Sequence, residues 1–298
     1  MRRAKRVLGY AGAILATVLV VALVFVYGRS EWLMRRRWNI PATEIAVPGD
    51  STAIARGERL VSVRGCNGCH GARLEGVVMF DAPLLARLVS PNIAGLARRY
   101  STADLERAIR HGVKPNGRSV AVMPADMFYN LSDIDLGAII AYLRSVVPAE
   151  NTLPAGEMRL VARAGIVSGK YTLMASQIDH TAPRIPAPVA GDAVALGRYI
   201  VHTSCTMCHG QDLRGLAGTP DPDEPSPNLS VVAGYTRAEF AHLMRTGEPT
   251  GGRTLHLMAE TARKRFSHLT DEEVDGVYEY LRSLGANAKG AAHYGSGQ

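Results

Sequence analysis

Cys66-Asn67-Gly68-Cys69-His70 and Cys205-Thr206-Met207-Cys208-His209 are one five-residue pattern, C-x-x-C-H, written twice in a chain of 298 residues. Together they use all four cysteines. Their surroundings repeat too. Gly57-Glu58-Arg59-Leu60-Val61 precedes the first pattern, and Gly197-Arg198-Tyr199-Ile200-Val201 precedes the second. Gly71-Ala72-Arg73-Leu74-Glu75-Gly76 follows the first, and Gly210-Gln211-Asp212-Leu213-Arg214-Gly215 follows the second. Further on, Ser90-Pro91-Asn92-Ile93 answers Ser226-Pro227-Asn228-Leu229, and Gly117-Arg118 answers Gly252-Arg253. Each copy ends in Tyr-Leu-Arg-Ser, at Tyr142 to Ser145 and at Tyr280 to Ser283. Such a repeat is two copies of one domain of roughly a hundred residues.

C-x-x-C-H is the attachment pattern of c-type haem. Two thiols two residues apart each form a thioether to a haem vinyl group, and the adjacent histidine ligates the iron. Two other chemistries use paired cysteines. Four thiolates hold a zinc ion, but that reading leaves both histidines unexplained and closes the site across a very long insertion. A redox dithiol of the thioredoxin kind follows a strand in a βαβ setting, and no such pattern appears here. The expected cofactors are therefore two covalently bound haem c groups, held by Cys66 and Cys69 and by Cys205 and Cys208. His70 and His209 are the proximal iron ligands.

Upstream, Arg2, Arg3, Lys5 and Arg6 precede an uncharged apolar run from Val7 to Tyr27. About 20 residues at 1.5 Å rise span a bilayer core. The exit Val26-Tyr27-Gly28-Arg29 has no small-x-small cleavage site, so an uncleaved anchor is expected rather than a signal peptide. Both flanks are basic, so the positive-inside rule is nearly balanced. Trp32 and Trp38 suit the outer interface. Residues 1–38 hold eight of the 34 Lys and Arg and one of the 27 Asp and Glu, leaving 26 of each in the remainder. The formal charge of +7 thus belongs to the anchor and gives no nucleic-acid footprint.

The rest reads as all-α. A helix through Leu60 delivers Cys66. Ser101 with Asp104 starts the next, with Leu105, Ala108 and Ile109 inside and Gly112 as its end; Thr236, Glu239, Phe240, Leu243, Met244 and Gly247 repeat this. Ser132 with Asp135 starts the last helix, its stripe Leu136, Ile139, Ile140 and Leu143; Thr270, Glu273, Val274, Val277, Tyr278 and Leu281 repeat it. The expected division is a basic N-terminus and anchor over 1–38, a linker over 39–52, a first domain over 53–150, a connector over 151–190, a second domain over 191–286 and a tail over 287–298. The connector is too apolar for a disordered tether and is expected to pack across both domains. His180 within it suits a structural role. The acidic run Asp221, Asp223 and Glu224 reads as a solvated loop.

C-x-x-C-H-G, a Pro-Asn pair, a methionine and a capped helix ending Tyr-Leu-Arg together resemble a class I cytochrome c domain. The tandem behind an anchor resembles the membrane-bound di-haem cytochromes c of bacterial respiratory chains and the cytochrome subunits of periplasmic dehydrogenases. Those subunits usually carry three such domains, where this chain carries two. The resemblance covers roughly residues 50–285. It implies haem domains in the periplasm, the N-terminus in the cytoplasm and a single pass through the cytoplasmic membrane. It implies a methionine as sixth iron ligand in each copy. Met123 lies six residues after Gly117 and Met258 six after Gly252, so metal ligation falls on His70, Met123, His209 and Met258. Met127 and His256 are the neighbouring competitors. The backbone carbonyls of Pro91 and Pro227 become the partners of the proximal histidines. Arg118 and Arg253 are either propionate partners or solvent-exposed.

The implied function is one-electron transfer without catalysis. The donor is a dehydrogenase or quinol-oxidising complex, the acceptor an oxidase or soluble cytochrome. The alternatives are a cytochrome subunit of a dehydrogenase complex, or a di-haem peroxidase or thiosulfate-type oxidoreductase, which needs an open iron site.

Overall fold

The computed structural model describes residues 2–41, 43–216 and 225–294. The acidic run at Asp221, Asp223 and Glu224 lies outside them. Helix α1 (Arg2–Met34) is long and apolar enough to cross a membrane, and the most apolar window of its length is unburied; Arg163 meets the stretch only at its end, at Tyr27. A helix exposing that much hydrocarbon to water carries a cost that a bilayer removes.

The first repeat contains α2 (Ser51–Arg64), α3 (Cys66–His70), strands β1 (Val77–Ala82) and β2 (Ala86–Ser90), then α4 (Ile93–Arg99), α5 (Thr102–His111), α6 (Ala125–Phe128) and α7 (Asp133–Ser145). Strand β3 (Glu157–Met158) and α8 (Leu160–Val167) belong to the connector. The second repeat contains α9 (Ala193–Ser204), α10 (Thr206–His209), α11 (Arg237–Thr246), α12 (Leu257–Lys264) and α13 (Asp271–Tyr294). The chain is mostly helical, as expected, with two tandem units built alike. The exception is a small antiparallel sheet of order β1-β2-β3, which the helical reading did not foresee.

The caps fall where the sequence puts them. Ser101 and Ser132 accept from the backbone N–H groups of Asp104 and Asp135, at 3.0 and 3.1 Å. Thr236 and Glu239 close a full capping box. Gly112 and Gly247 end their helices in the left-handed region. The α7 stripe Leu136, Ile139, Ile140 and Leu143 is buried, as are Val274, Val277, Tyr278 and Leu281 on α13. On α5 the expectation fails in part. Leu105 is buried and Ile109 packs half-buried against the same core, but Ala108 is only partly covered, while Glu106 and Arg110 go inside as an ion pair. Arg110 also bonds the Leu131 carbonyl and Asp133, so its charge enters the core with partners.

Each unit is built on one crossing. Helix α2 meets α7 at Gly57, where a Cβ would stand 2.0 Å from the Ala138 carbonyl oxygen. Helix α9 meets α13 at Gly197, where it would stand 1.9 Å from the Gly276 oxygen. No side chain fits either place, which is why both copies begin with glycine.

The units then dock through equivalent positions. Two residues after each crossing glycine stand Arg59 and Tyr199. Three residues after each last-helix cap stand Asp135 and Glu273. Arg59 grips Glu273 with both guanidinium nitrogens, at 2.6 and 3.0 Å. Tyr199 donates to Asp135 at 2.7 Å. The contact is a quasi-two-fold one within a single chain, each unit giving the same face.

The connector packs on the first unit and on α1 rather than evenly across both domains. Tyr171 donates to the Ala121 carbonyl, Tyr129 to that of Ala182, and Arg163 to Glu31. Trp38 is also a first-unit residue. Its backbone N–H bonds the Gly117 carbonyl, and its ring meets His180 edge-on at 5.6 Å. Residues 45–48 likewise lie on the first unit, with Ile45 and Val47 against its core.

His180 takes the structural role. Its Nδ1 lies 2.9 Å from His111 Nδ1, and its Nε2 lies 2.9 Å from the Ala175 carbonyl. Burial, with His180, Arg110, Arg184 and Arg107 adding to it, pulls His111 down to about 4. Unfolded, the same ring titrates near its ordinary 6.5. Folding therefore excludes a proton that the unfolded chain binds, and stability falls as pH drops from about 6.5 toward 4. Unfolding measured across that window is expected to show His111→Gln losing roughly 1–2 kcal/mol less than the parent, the ring being partly open to screening solvent.

Candidate functional site

Both C-x-x-C-H patterns sit on short helices at the end of a core helix. Gly65, in the left-handed region, breaks α2 and starts α3; Cys205 does the same between α9 and α10. One helical turn brings each cysteine pair and its histidine together. All four thiols are unbonded to one another. Burial pushes Cys66 and Cys205 up to about 11, so neither is a free thiolate poised for thiol–disulfide exchange. Among the described residues, no three His, Cys, Asp or Glu side chains converge on a metal-sized space.

The loop after each histidine is folded identically in the two copies. The N–H of Gly76 bonds the His70 carbonyl at 2.7 Å, and that of Gly215 bonds the His209 carbonyl at 2.9 Å. Leu74 and Leu213, both buried, take φ of 61°, a left-handed conformation costly for leucine. Their carbonyls accept from Ile93 and Leu229, at 3.0 and 2.9 Å. A Cβ on Gly76 would meet the Ser90 oxygen at 2.6 Å, and one on Gly215 the Ser226 oxygen at 2.1 Å. This close approach holds the Ser-Pro-Asn segments over the histidines. Asn92 and Asn228 cap the helical turns that follow, fixing the prolines from the other side.

The result is one hydrogen bond per site. His70 Nδ1 lies 2.9 Å from the Pro91 carbonyl oxygen, and His209 Nδ1 lies 2.9 Å from that of Pro227. Each Nδ1–H donates, so the lone pair resides on Nε2. Burial lowers both histidine pKa values, against the opposing pull of the proline carbonyls, and keeps the rings neutral. A neutral imidazole with a fixed tautomer is what iron ligation requires.

Met123 lies in the loop before α6, half-buried against the first core. Met258 lies in the first turn of α12, half-buried against the second. Met127 is different. It is 1% exposed and belongs to the core of the first unit. His256 is the N-cap residue of α12, directly ahead of Leu257 and Met258. Equivalent repeat positions are half-covered against the two cores: Cys66, Tyr100 and Met123 on the first, Cys205, Tyr235 and Met258 on the second. A thiol and a thioether thus rest on the same apolar core in each copy, residue types that suit a covalently held haem. Arg253 is exposed and Arg118 half-exposed.

Two charged residues were not foreseen. Arg265, reaching from the second unit, lies against Gly65 and donates to the carbonyls of Val63 (3.1 Å) and Ser204 (3.4 Å). One guanidinium thereby braces the main chain just ahead of both cysteine pairs. Arg64, buried, donates to Ser204 Oγ and lies 3.9 Å from Asp135. Arg64 stands two residues before Cys66, but nothing local shows that it turns inward. Arg265 has no sequence signal at all, because its partners are backbone atoms far away in the chain.

The cytochrome c family profile matches this chain twice, over residues 54–147 and 194–285. A fructose dehydrogenase cytochrome subunit of Gluconobacter japonicus is 24% identical over 80% of this chain, which spans 54% of that protein. A gluconate 2-dehydrogenase cytochrome c subunit of Pantoea cypripedii is 23% identical over 78% of this chain and 60% of its own length. A di-haem c-type cytochrome of Cereibacter sphaeroides is 26% identical over 89% of this chain and 97% of its own length. The chain thus spans little more than half of the two dehydrogenase subunits.

Proposed function

We propose, from the premise that this chain belongs to the cytochrome c family, that it is a membrane-anchored di-haem electron carrier on the periplasmic face of a bacterial membrane. Its donor is a periplasmic dehydrogenase, as the names of two relatives suggest, or a quinol-oxidising complex. Its acceptor is an oxidase or a soluble cytochrome of a respiratory chain. The carrying observation is the repeated fixation of His70 and His209 by Pro91 and Pro227 beside paired thiols.

Haem c, when bound, supplies a one-electron iron couple. Cys66 and Cys69, and Cys205 and Cys208, hold the two groups covalently. His70 and His209 would present Nε2 to the iron, and Met123 and Met258 would supply a thioether ligand to it. A thioether ligand would favour the reduced state and leave no room at the iron for a substrate, so these residues would set potential rather than perform chemistry. The docking contacts Arg59–Glu273, half-buried, and Tyr199–Asp135, buried, hold the two sites at a fixed separation. Helix α1 keeps this traffic at the membrane surface.

Cys66→Ala with Cys69→Ala is expected to halve covalent haem, from two per chain to one, by pyridine haemochrome assay. An unchanged count would refute the assignment. The electron-carrier reading predicts reduction of the purified protein by a quinone- or flavin-dependent dehydrogenase and no turnover of peroxide or thiosulfate. Peroxide turnover would overturn it.

A further inference from the structure

The β1–β2 hairpin is a feature that electron transfer leaves unexplained. Its tip carries Leu84 and Leu85, and Leu84 is 68% exposed. Beside it, Val161 on α8 is 51% exposed, and Leu160 is partly open. β1 leaves the histidine region at Val77, whose N–H bonds Ser90, itself bonded to the Cys69 carbonyl. The strand then carries the tip about 17 Å away at the usual rise per residue.

The tip is not loose. The N–H groups of Arg159 and Val161 bond the Leu85 and Leu84 carbonyls, each at 3.0 Å. Asp81 takes Arg87 at 2.7 Å and Arg159 at 2.6 Å, which ties the hairpin to the connector. The connector is tied in turn to the end of α1. Arg163 bonds Ser30 (3.0 Å) and Glu31 (3.1 Å) and stacks on Tyr27 at 4.8 Å. Tyr27 is the last residue of the uncharged run that begins at Val7. Arg163 therefore marks the level at which α1 leaves the hydrocarbon. Leu160 and Val161 lie within one helical turn of it, and Leu84 is bonded to Val161. The interfacial layer on each side of a bilayer is about 5–8 Å thick, enough to include them.

We propose that Leu84, Leu85, Leu160 and Val161 form a membrane seat, a surface that dips into the headgroup boundary of the bilayer that α1 spans. The occupant is lipid, because the patch is continuous with the spanning helix and rigidly joined to its exit. Apolar side chains inserted there bury 5–10 Å deep in comparable interfacial helices. With α1 as one point of attachment and the hairpin as another, the first unit cannot swivel about its anchor, and its cysteine site is held at a fixed height. This inference rests on the anchor reading and adds a second contact to it.

The test uses the full holoprotein in vesicles of phosphatidylethanolamine and phosphatidylglycerol doped with a diazirine-bearing phospholipid. After photolysis, peptides are mapped by mass spectrometry. Lipid adducts are expected on α1 and, several-fold above the exposed Val189 segment, on the segments bearing Leu84, Leu85 and Val161. A Leu84→Asp/Leu85→Asp variant is expected to lose the hairpin adducts while keeping those on α1 and an unaltered haem spectrum. Adducts on α1 with none on the hairpin would overturn the seat and leave the anchor standing. Hairpin adducts that survive the double substitution would overturn it as collisional labelling. Absence of adducts from α1 itself would overturn the anchor reading and the seat together.

Discussion

Gly57→Ala is expected to remove about 3 kcal/mol or more from the stability of the first repeat. An added Cβ there meets the Ala138 carbonyl oxygen at 2.0 Å and the Tyr142 Cβ at 2.8 Å. The first obstacle is main chain inside α7, held by its own helical bonds, so it cannot turn aside as a side chain does. Relief comes only by moving α2 from α7, which opens the core around Leu60, Leu136 and Ile140. Overpacking a tight core costs 1–3 kcal/mol where side chains yield, and more where backbone must. Gly197→Ala should act alike in the second repeat, against Gly276 at 1.9 Å. Alanine is the better helix former by about 1 kcal/mol, so propensity alone predicts stabilisation. Denaturant unfolding decides the sign. A gain would show that the crossing is looser than described.

Asp135→Ala should cost about 4 kcal/mol. Its carboxylate, buried at the first turn of α7, accepts from Arg56 at 2.6 and 3.0 Å and from Tyr199 at 2.7 Å. It also lies 3.9 Å from Arg64, which is buried and has no other carboxylate within ion-pair distance among the described residues. Removing it strands a charge and a phenol inside the domain interface, the situation in which breaking a buried pair costs 3–5 kcal/mol. Glu273→Ala at the equivalent place removes the partner of Arg59, which is more open to water. About 1 kcal/mol is expected there. The ratio between the two substitutions is the useful quantity, since the contacts are related by the repeat and differ in burial. Equal losses would show that the interface does not treat Asp135 as its buried centre.

The caps and stripes were legible because they are local. Ser132, Thr236 and Gly247 act on backbone a few residues away, and the α7 stripe follows from helical period alone. The crossing glycines were visible as repeated letters, but their reason lies in a partner helix some eighty residues on. The hairpin was missed because Val77 to Ser90 lacks a short turn signal such as Asn-Gly and sits inside a helical pattern. Glu106 and Arg110 look solvent-exposed in sequence; only the Leu131 carbonyl and Asp133 make their burial possible. The connector is apolar enough to predict packing but not to say against what. Arg64 and Arg265 could not be found at all, because each takes partners from both repeats at long range in the chain. At the sites, the proximal histidines were legible from the pattern and their proline partners from the resemblance. The sixth ligands rest on offset: Met123 and Met258 keep the same distance from their Gly-Arg pairs, though one lies in a loop and the other on a helix.

The central claim is that each repeat holds one His/Met iron centre that carries a single electron. A redox titration of the purified protein, followed by visible absorption and EPR beside Met123→Ala and Met258→Ala, tests it directly. Two low-spin one-electron centres are expected, with each substitution lowering the potential and changing the spin state of its own centre alone. A centre that Met258→Ala leaves unchanged, whether high-spin or ligated by two imidazoles, would contradict the ligand assignment in the second repeat.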